Sequence, residues 1–261
     1  MTPAAPFNTL APDYDARFTH SVLGGTLRRA VWGWLDRTFT PGDRVLELNC
    51  GTGEDAVHLA ARGVRVLATD GSSAMVDLAR AKIGDLGFDR SIELRQLEIE
   101  RLDDLVAESA GSLDGAFSNF GGLNCVADLP RAVRSLAALL KPGARVVLCL
   151  MGPLVPWEWA WFLARAQVGT AFRRLARGGV EWHSLTVRYP SIRTMLRTLG
   201  PRFAVRRVGG LGVLVPPTYV ETWARHHPRL VARLDRWERR IEAWPIVPWL
   251  GDHYLLDLER R

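Results

Sequence analysis

The chain has 261 residues, 48% of them apolar and 24% charged, with a formal net charge of +6. That is ordinary for a soluble globular protein and enough for one large domain or one domain with insertions. The 3 cysteines (Cys50, Cys125, Cys149) show no C-x-x-C spacing, which argues against a disulfide framework or a zinc site and fits a reducing compartment.

Of the 34 basic residues, only Lys82 and Lys141 are lysines. An arginine bias beside many alanines and glycines reads most simply as nucleotide composition, and otherwise as attraction to an acidic partner or a membrane surface. "MTPAAPFNTLAPDYDARF" is not a signal peptide, since no basic region precedes an apolar run. No stretch reaches the roughly 18 apolar residues of a membrane span. A cytoplasmic protein is expected.

In chain order, short apolar runs predict strands at Val45–Leu48, Val64–Ala68, Ile92–Leu97, Gly115–Asn119 and Arg145–Leu150. "SSAMVDLARAKIGDL" reads as a serine-capped helix. "LPRAVRSLAALL" sets Leu129, Ala132, Val133, Leu136 and Leu140 on one helical face and stops at "KPG". Strands alternating with helices predict a parallel sheet covered on both faces. Past Leu150 the texture changes. Two stretches rich in tryptophan and arginine, 153–188 and 210–251, enclose a helix ("YPSIRTMLRTLG") and a strand ("RFAVRRVGG"), and "DHYLLDLERR" closes the chain as an alternating strand.

The stretch "RVLELNCGTGEDAVHLAARGVRVLATD", Arg44 to Asp70, reads as strand, glycine turn, helix, strand, acid. Gly51 and Gly53 permit a sharp turn and close approach of backbone to a ligand. The helix start offers free N–H groups, and Asp70 can accept both hydroxyls of a ribose. Gly51, Gly53 and Ala56 also fit the dinucleotide spacing G-x-G-x-x-A, with Asp70 17 residues past Gly53, so the glycines alone do not choose the cofactor. Glu47 does discriminate. A carboxylate at the end of the first strand opposes an anionic pyrophosphate and suits a cationic ligand. An N-terminal segment carrying "APDYDARFTHSVLGG" and a closing pair of strands point the same way.

On these residues the chain resembles the class I S-adenosylmethionine (SAM)-dependent methyltransferases. "VLELNCGTGEDAVHLA" resembles their first motif, E/D-x-G-x-G-x-G, with Asn49 where glycine is usual. "VLATDGSSAMVDLAR" resembles the second, "RQLEIERL" the third, "DGAFSNFGGLNCV" the fourth and "LKPGARVVLCLMG" the fifth. The resemblance covers about residues 10–152 and the closing strands. It implies a Rossmann-like α/β fold with a seven-stranded, mostly parallel sheet, an antiparallel last strand, helices on both faces, and helical lid insertions. It further implies SAM as cofactor, S-adenosylhomocysteine (SAH) as product and no metal. Asp70 and Gly71 then meet the ribose, Met75, Glu98 and Ile99 the adenine, and Tyr14, Glu47, Asn49, Gly51, Gly53 and Asn119 the rest of the cofactor.

The expected organisation is a helical cap (1–40), a cofactor-binding core (41–152), a first lid insertion (153–188), a core helix and strand (189–209), a second lid insertion (210–251) and a final strand (252–261). Both insertions should leave and return on the ligand side and cover the transferable methyl group, because ligands bind outside the carboxyl ends of the strands. Their aromatic residues (Trp157, Trp159, Trp161, Phe162, Trp182, Trp223, Trp244, Trp249) suit a planar or hydrophobic small-molecule acceptor. Trp157, Trp182, Tyr189 and Tyr254 are the candidate acceptor contacts.

Where the acceptor must lose a proton, His253 with Asp252 beside it is the first candidate base, ahead of His183 and His20. Oxygen is favoured over nitrogen or carbon as acceptor atom. Nucleic acid is disfavoured: "SNFG" lacks both prolines of N-P-P-Y, and no basic segment is interleaved with aromatics. Two alternatives stay open, a quinone or lipid methyltransferase in peripheral contact with a membrane, for which "PLVPWEWAWFLARA" is a candidate, and a SAM-binding protein without turnover. The sequence does not set an oligomeric state.

Overall fold

The structure is a computed structural model that describes residues 5–183 and 185–261; the start of the expected cap (1–4) and one lid position (184) lie outside the described residues. The first half runs α1 (Ala5–Tyr14), a π-helical turn (Asp15–Thr19), α2 (Val22–Thr38), β1 (Arg44–Leu48), α3 (Glu54–Ala60), β2 (Arg65–Asp70), α4 (Ser73–Asp85), β3 (Ile92–Gln96), α5 (Leu102–Ser109), β4 (Leu113–Ser118), α6 (Leu129–Leu139) and β5 (Leu140–Met151). The second half runs α7 (Pro156–Leu163), α8 (Val168–Ala171), β6 (Val180–Trp182), β7 (Leu185–Val187), α9 (Ile192–Leu199), β8 (Phe203–Leu211), α10 (Glu221–His226), α11 (Pro228–Ile241), α12 (Val247–Leu250) and β9 (His253–Arg260).

Seven strands form one sheet in the order β3-β2-β1-β4-β5-β9-β8, parallel except for β9, which runs antiparallel to both neighbours. The inner strands β1, β2, β4 and β5 are mostly buried because both faces are covered, and the period of two divides their side chains. Val45, Phe117, Val147 and Leu255 face α2, α3 and α4; Leu46, Ala116, Leu148 and Leu256 face α5, α6 and α9. Helix starts follow local chemistry: Ser72 Oγ accepts from Met75 N, Ser191 Oγ from Thr194 N, and Asp128 from Arg131 N. The strand order reverses between β1 and β4, which sets a crevice at their carboxyl ends.

The insertions depart from expectation in two ways. The first is not wholly helical. Val180–Trp182 pairs with Leu185–Val187 as an antiparallel hairpin, for which the alternation in "VEW" and "LTV" suffices: Val180, Trp182, Leu185 and Val187 turn inward, while Thr186 Oγ1 donates to Glu181 on the other face.

The second insertion leaves and returns at the crevice edge but does not close over it. Its helices pack on α2 and on the β8–β9 edge. Polar groups fasten it there: Glu221 accepts from the backbone N–H groups of Val22 and Leu23 at the start of α2 (2.8 and 3.0 Å). Glu238 accepts from those of Gly212, Val213, Leu214 and Val215.

Candidate functional site

A cavity of about 570 Å³ opens at the carboxyl ends of β1, β2, β4 and β5. Helix α1 roofs it with Phe7 and Tyr14, and the β6–β7 hairpin closes the other side; Phe7 packs on Trp182 with ring centroids 5.8 Å apart.

The loop after β1 is built by left-handed residues: Asn49, Gly51 and Gly53 have φ of 52°, 56° and 79°. Asparagine tolerates this conformation better than other side-chain-bearing residues. Here its amide also works, since Asn49 Nδ2 donates to the Asn119 carbonyl (2.8 Å) and Asn49 Oδ1 accepts from Ser118 Oγ (2.6 Å), tying the loop to β4 across the switch point. A Cβ on Gly122 would lie 2.1 Å from Asn49 Cγ, so glycine at 122 makes room for asparagine at 49.

Asp70 closes β2. Its Oδ2 accepts from Gly51 N (2.9 Å) and its Oδ1 from Ser72 N (2.8 Å). Burial raises its carboxyl pKa despite these two donors. A carboxylate has about four lone-pair sites, so capacity remains for two ribose hydroxyls. Asn49, Gly51, Gly71, Met75, Glu98, Ile99, Asn119 and Tyr14 all line the cavity with it. Burial raises the Tyr14 phenol, with Arg28 partly offsetting it, so Tyr14 is a protonated donor at neutral pH.

Two expected cofactor contacts lie elsewhere. Gly53 does not line the cavity; a Cβ there would come 3.2 Å from Ala79 Cβ, so its glycine serves close packing of α3 on α4. Glu47 shares the sheet face of Val45, toward α2 and α3, and is buried behind the cavity wall with no partner for Oε2. Burial, then the nearby Asp55 carboxylate, push its pKa well above the usual value.

Asp55 occupies the wall instead. It accepts from Arg28 Nη1 (2.7 Å) and Trp32 Nε1 (2.7 Å) on one oxygen and from Asn119 Nδ2 (2.8 Å) on the other. Burial alone would raise this carboxyl, but Arg28 and these hydrogen bonds hold it below its usual value. The signal for Arg28 was in the sequence, a charge on the apolar face of "TLRRAVWGWL". A second cluster fixes the cap: Asp15 accepts from Thr52 Oγ1 (2.6 Å) and Lys82 Nζ (2.8 Å), and Lys82 also reaches Glu54 (3.0 Å).

The half of the cavity beyond β4 and β5 is apolar, with Phe120, Val126, Met151, Val180, Trp182, Leu185 and Val187, and its polar groups include Cys125, Arg173 and Tyr189. Trp182 and Tyr189 therefore sit where expected. The remaining acceptor and base candidates do not. Trp157 is exposed and donates to the Val213 carbonyl (2.8 Å). Tyr254 is core and donates to the Pro190 carbonyl (3.0 Å).

His253 is enclosed between β5 and β8, with Phe120 edge-on to it (5.8 Å) between ring and cavity. Asp252 lies 3.1 Å from its Nδ1, out of hydrogen-bonding alignment, and is committed to Arg174 (2.6 Å). His183 is exposed at the hairpin tip with φ 47°, and His20 is exposed. Among the described residues, no histidine lines the cavity. Burial pushes the Cys125 thiol up to about 11 and raises the Tyr189 phenol.

The lining carries four carboxylates (Asp55, Asp70, Glu98, Glu100) against two guanidiniums (Arg28, Arg173), an excess that favours a cationic ligand. Asn119 Oδ1, on the wall, is buried without a partner. These residues fit a cofactor with ribose hydroxyls and positive charge. Among the described residues no group of three or more His, Cys, Asp or Glu is placed to hold a metal.

An open α/β sheet with a glycine loop at its switch point and an acid closing the second strand defines a nucleotide-cofactor-binding domain. Comparison with known proteins narrows the class. Residues 45–143 match the family described as Methyltransferase domain, a stretch that runs from β1 into β5 of the seven-stranded sheet. It is 29% identical over 147 residues to a ubiquinone/menaquinone biosynthesis C-methyltransferase of Geotalea daltonii, covering 54% of this chain and 60% of that one. It is 34% identical over 148 residues to a demethylmenaquinone methyltransferase of Clavibacter sepedonicus, covering 56% of each. The chain thus spans rather more than half the length of these relatives. Among solved structures, a geranyl diphosphate methyltransferase in complex with SAM superposes with a TM-score of 0.58 at 19% identity, covering 90% of this chain and 85% of that one.

Proposed function

We propose that this chain transfers a methyl group from SAM to a small, largely apolar acceptor whose nucleophile is a phenolate or enolate, at oxygen or at the carbon that this oxygen activates. The observation that carries the reading is the acceptor half of the cavity: apolar walls, Arg173 and Tyr189 as donors, and, among the described residues, no histidine. Quinols and acidic phenols fit this description, in keeping with the quinone-pathway names of the relatives.

When bound, SAM supplies a sulfonium methyl for in-line displacement. Asp70 would accept the ribose hydroxyls, Met75 and Ile99 would hold the adenine, and Asn49, Gly51 and Tyr14 would hold the amino-acid end. The Asp55–Arg28 pair fixes Asn119 from behind. The acidic lining favours the cofactor's charge over that of the neutral product. Phe120, Met151 and the β6–β7 hairpin strip water from the nucleophile and hold it in line. Arg173 stabilises the acceptor anion, so transfer to oxygen needs no base, whereas transfer to carbon leaves a proton on that ring carbon that passes to solvent as the ring regains aromaticity.

The test is calorimetric titration with SAM, SAH and NADH in parallel, then SAH release with a panel of reduced quinones and phenols. Binding of SAM and SAH but not NADH, with turnover on acceptors of low pKa, is expected. Binding of NADH instead overturns the cofactor. SAM binding with no turnover on any acceptor overturns the transferase activity.

A further inference from the structure

Helix α7 is inside out. Its one charged residue, Glu158, is 1% exposed, while Leu163 is 44% exposed. Surface helices normally place apolar residues inward and charge outward. Glu158 is held under the helix by Arg173 Nη2 (2.6 Å) and by the Nε and Nη2 groups of Arg174 (3.0 and 3.0 Å), which donate to its two oxygens. Arg174 in turn bonds the carbonyls of Gly152 and Asp252 and the Asp252 carboxylate, so the segment is bolted to the sheet edge in this orientation. The apolar exposure continues along the adjoining turns, with Val168 at 57%, Phe172 at 40% and Leu175 at 48%.

Charge accompanies it. Segment 153–188 carries five arginines against two carboxylates, and one of those carboxylates is the buried Glu158. Arg165, lying over the Trp161 ring at 3.4 Å, and Arg177 are exposed beside the apolar face. The same segment lines the cavity through Arg173 and Val180. No helix among the described residues is long and apolar enough to cross a membrane.

We propose that this face, from Leu163 to Leu175, docks on an anionic lipid bilayer and presents the cavity's rim to it. A rigid apolar face with aromatic residues beneath and arginines at its border matches the requirement for interfacial binding: apolar side chains enter the headgroup boundary while guanidiniums meet anionic headgroups. Arginine complementarity selects lipid over another apolar protein face. The inference goes beyond the methyl-transfer reading and stands without it; together they describe an enzyme that takes a lipid-soluble acceptor at the bilayer surface.

The experiment is sedimentation of the full chain with vesicles of phosphatidylcholine alone and of phosphatidylcholine with phosphatidylglycerol. Expected is binding to the anionic vesicles that weakens with salt. The triple variant Leu163→Ser, Val168→Ser, Leu175→Ser should bind those vesicles at least about tenfold more weakly, with unchanged thermal unfolding and unchanged SAH affinity. Failure to bind anionic vesicles overturns the proposal. So does binding that the triple variant retains, since charge alone would then suffice. So does lipid-free self-association that the triple variant abolishes, since the face would then be an interface between copies. Vesicle binding without any SAH binding supports the docking surface and refutes the cofactor reading.

Discussion

Asp70 spends one lone pair of each carboxylate oxygen on the Gly51 and Ser72 N–H groups, so it shapes the loop as well as facing the cavity. Asp70→Ala is expected to weaken SAH binding at least about a hundredfold, since two hydrogen bonds to a charged acceptor are worth about 1.5–3 kcal/mol each. Calorimetry checks it, and an affinity within threefold of the parent places the ribose elsewhere. Asn49 and Gly122 make a paired prediction. Gly122→Ala forces a Cβ into the Asn49 amide and should cost about 1–3 kcal/mol, read as a lower denaturation midpoint. Adding Asn49→Gly should recover most of that loss, because the obstruction is the amide itself. A double variant as unstable as Gly122→Ala would mean that the clash is with something other than the amide.

At the scale of elements, the cofactor half was open to sequence reasoning because each strand end is coupled to its loop by local chemistry: glycine at the turn, serine at the cap, acid at the strand end. Glu47 stands off the cavity for a local reason as well. Its position on β1 was correct, but the two-residue period turns it toward α2 and α3, and the placement of Arg28 and Asp55 there depends on packing. The second insertion was not legible, since the Glu221 contact that draws it onto α2 joins residues 199 apart in the chain. The hairpin strands, Val180–Trp182 and Leu185–Val187, are too short for periodicity to register. The Glu158–Arg174–Asp252 cluster is what makes the first insertion one body with the sheet. Arg174→Met should release it, because removing one partner leaves buried charge uncompensated at a cost of about 3–5 kcal/mol. Amide exchange in residues 156–175 should then rise about a hundredfold or more, while β4 and β5 stay protected. Unchanged exchange would show that aromatic packing, such as Trp159 on Phe172 (5.7 Å), suffices.

For the whole molecule, a parallel sheet covered on both faces followed from alternation of strand and helix, but the pH dependence of stability rests on buried acids that sequence does not reveal, and these fall into two opposed groups. Asp15, Asp55 and Asp252 have carboxyls held below their usual values, the last well below, because cationic and hydrogen-bonding partners outweigh burial. Their stabilisation is complete above the unfolded carboxylate range and is lost as pH falls through the folded values. Glu47, Asp70 and Glu238 have carboxyls raised by burial. Protonated in both states at acid pH, they carry no penalty there; the penalty grows as pH rises from the unfolded value to the folded one and is constant above it. Stability should therefore increase as pH falls from 7.5 to about 5, as the second group is relieved, and fall steeply below about 4, as the first is lost. Glu47, with no partner for Oε2, is the main source of the first slope. Glu47→Gln should flatten the difference in melting temperature between pH 5 and pH 7.5 and leave the acid limb intact. A variant that keeps the full difference would assign the relief to Asp70 and Glu238, and Asp70→Asn would then separate those two by flattening the slope only where Asp70 carries it.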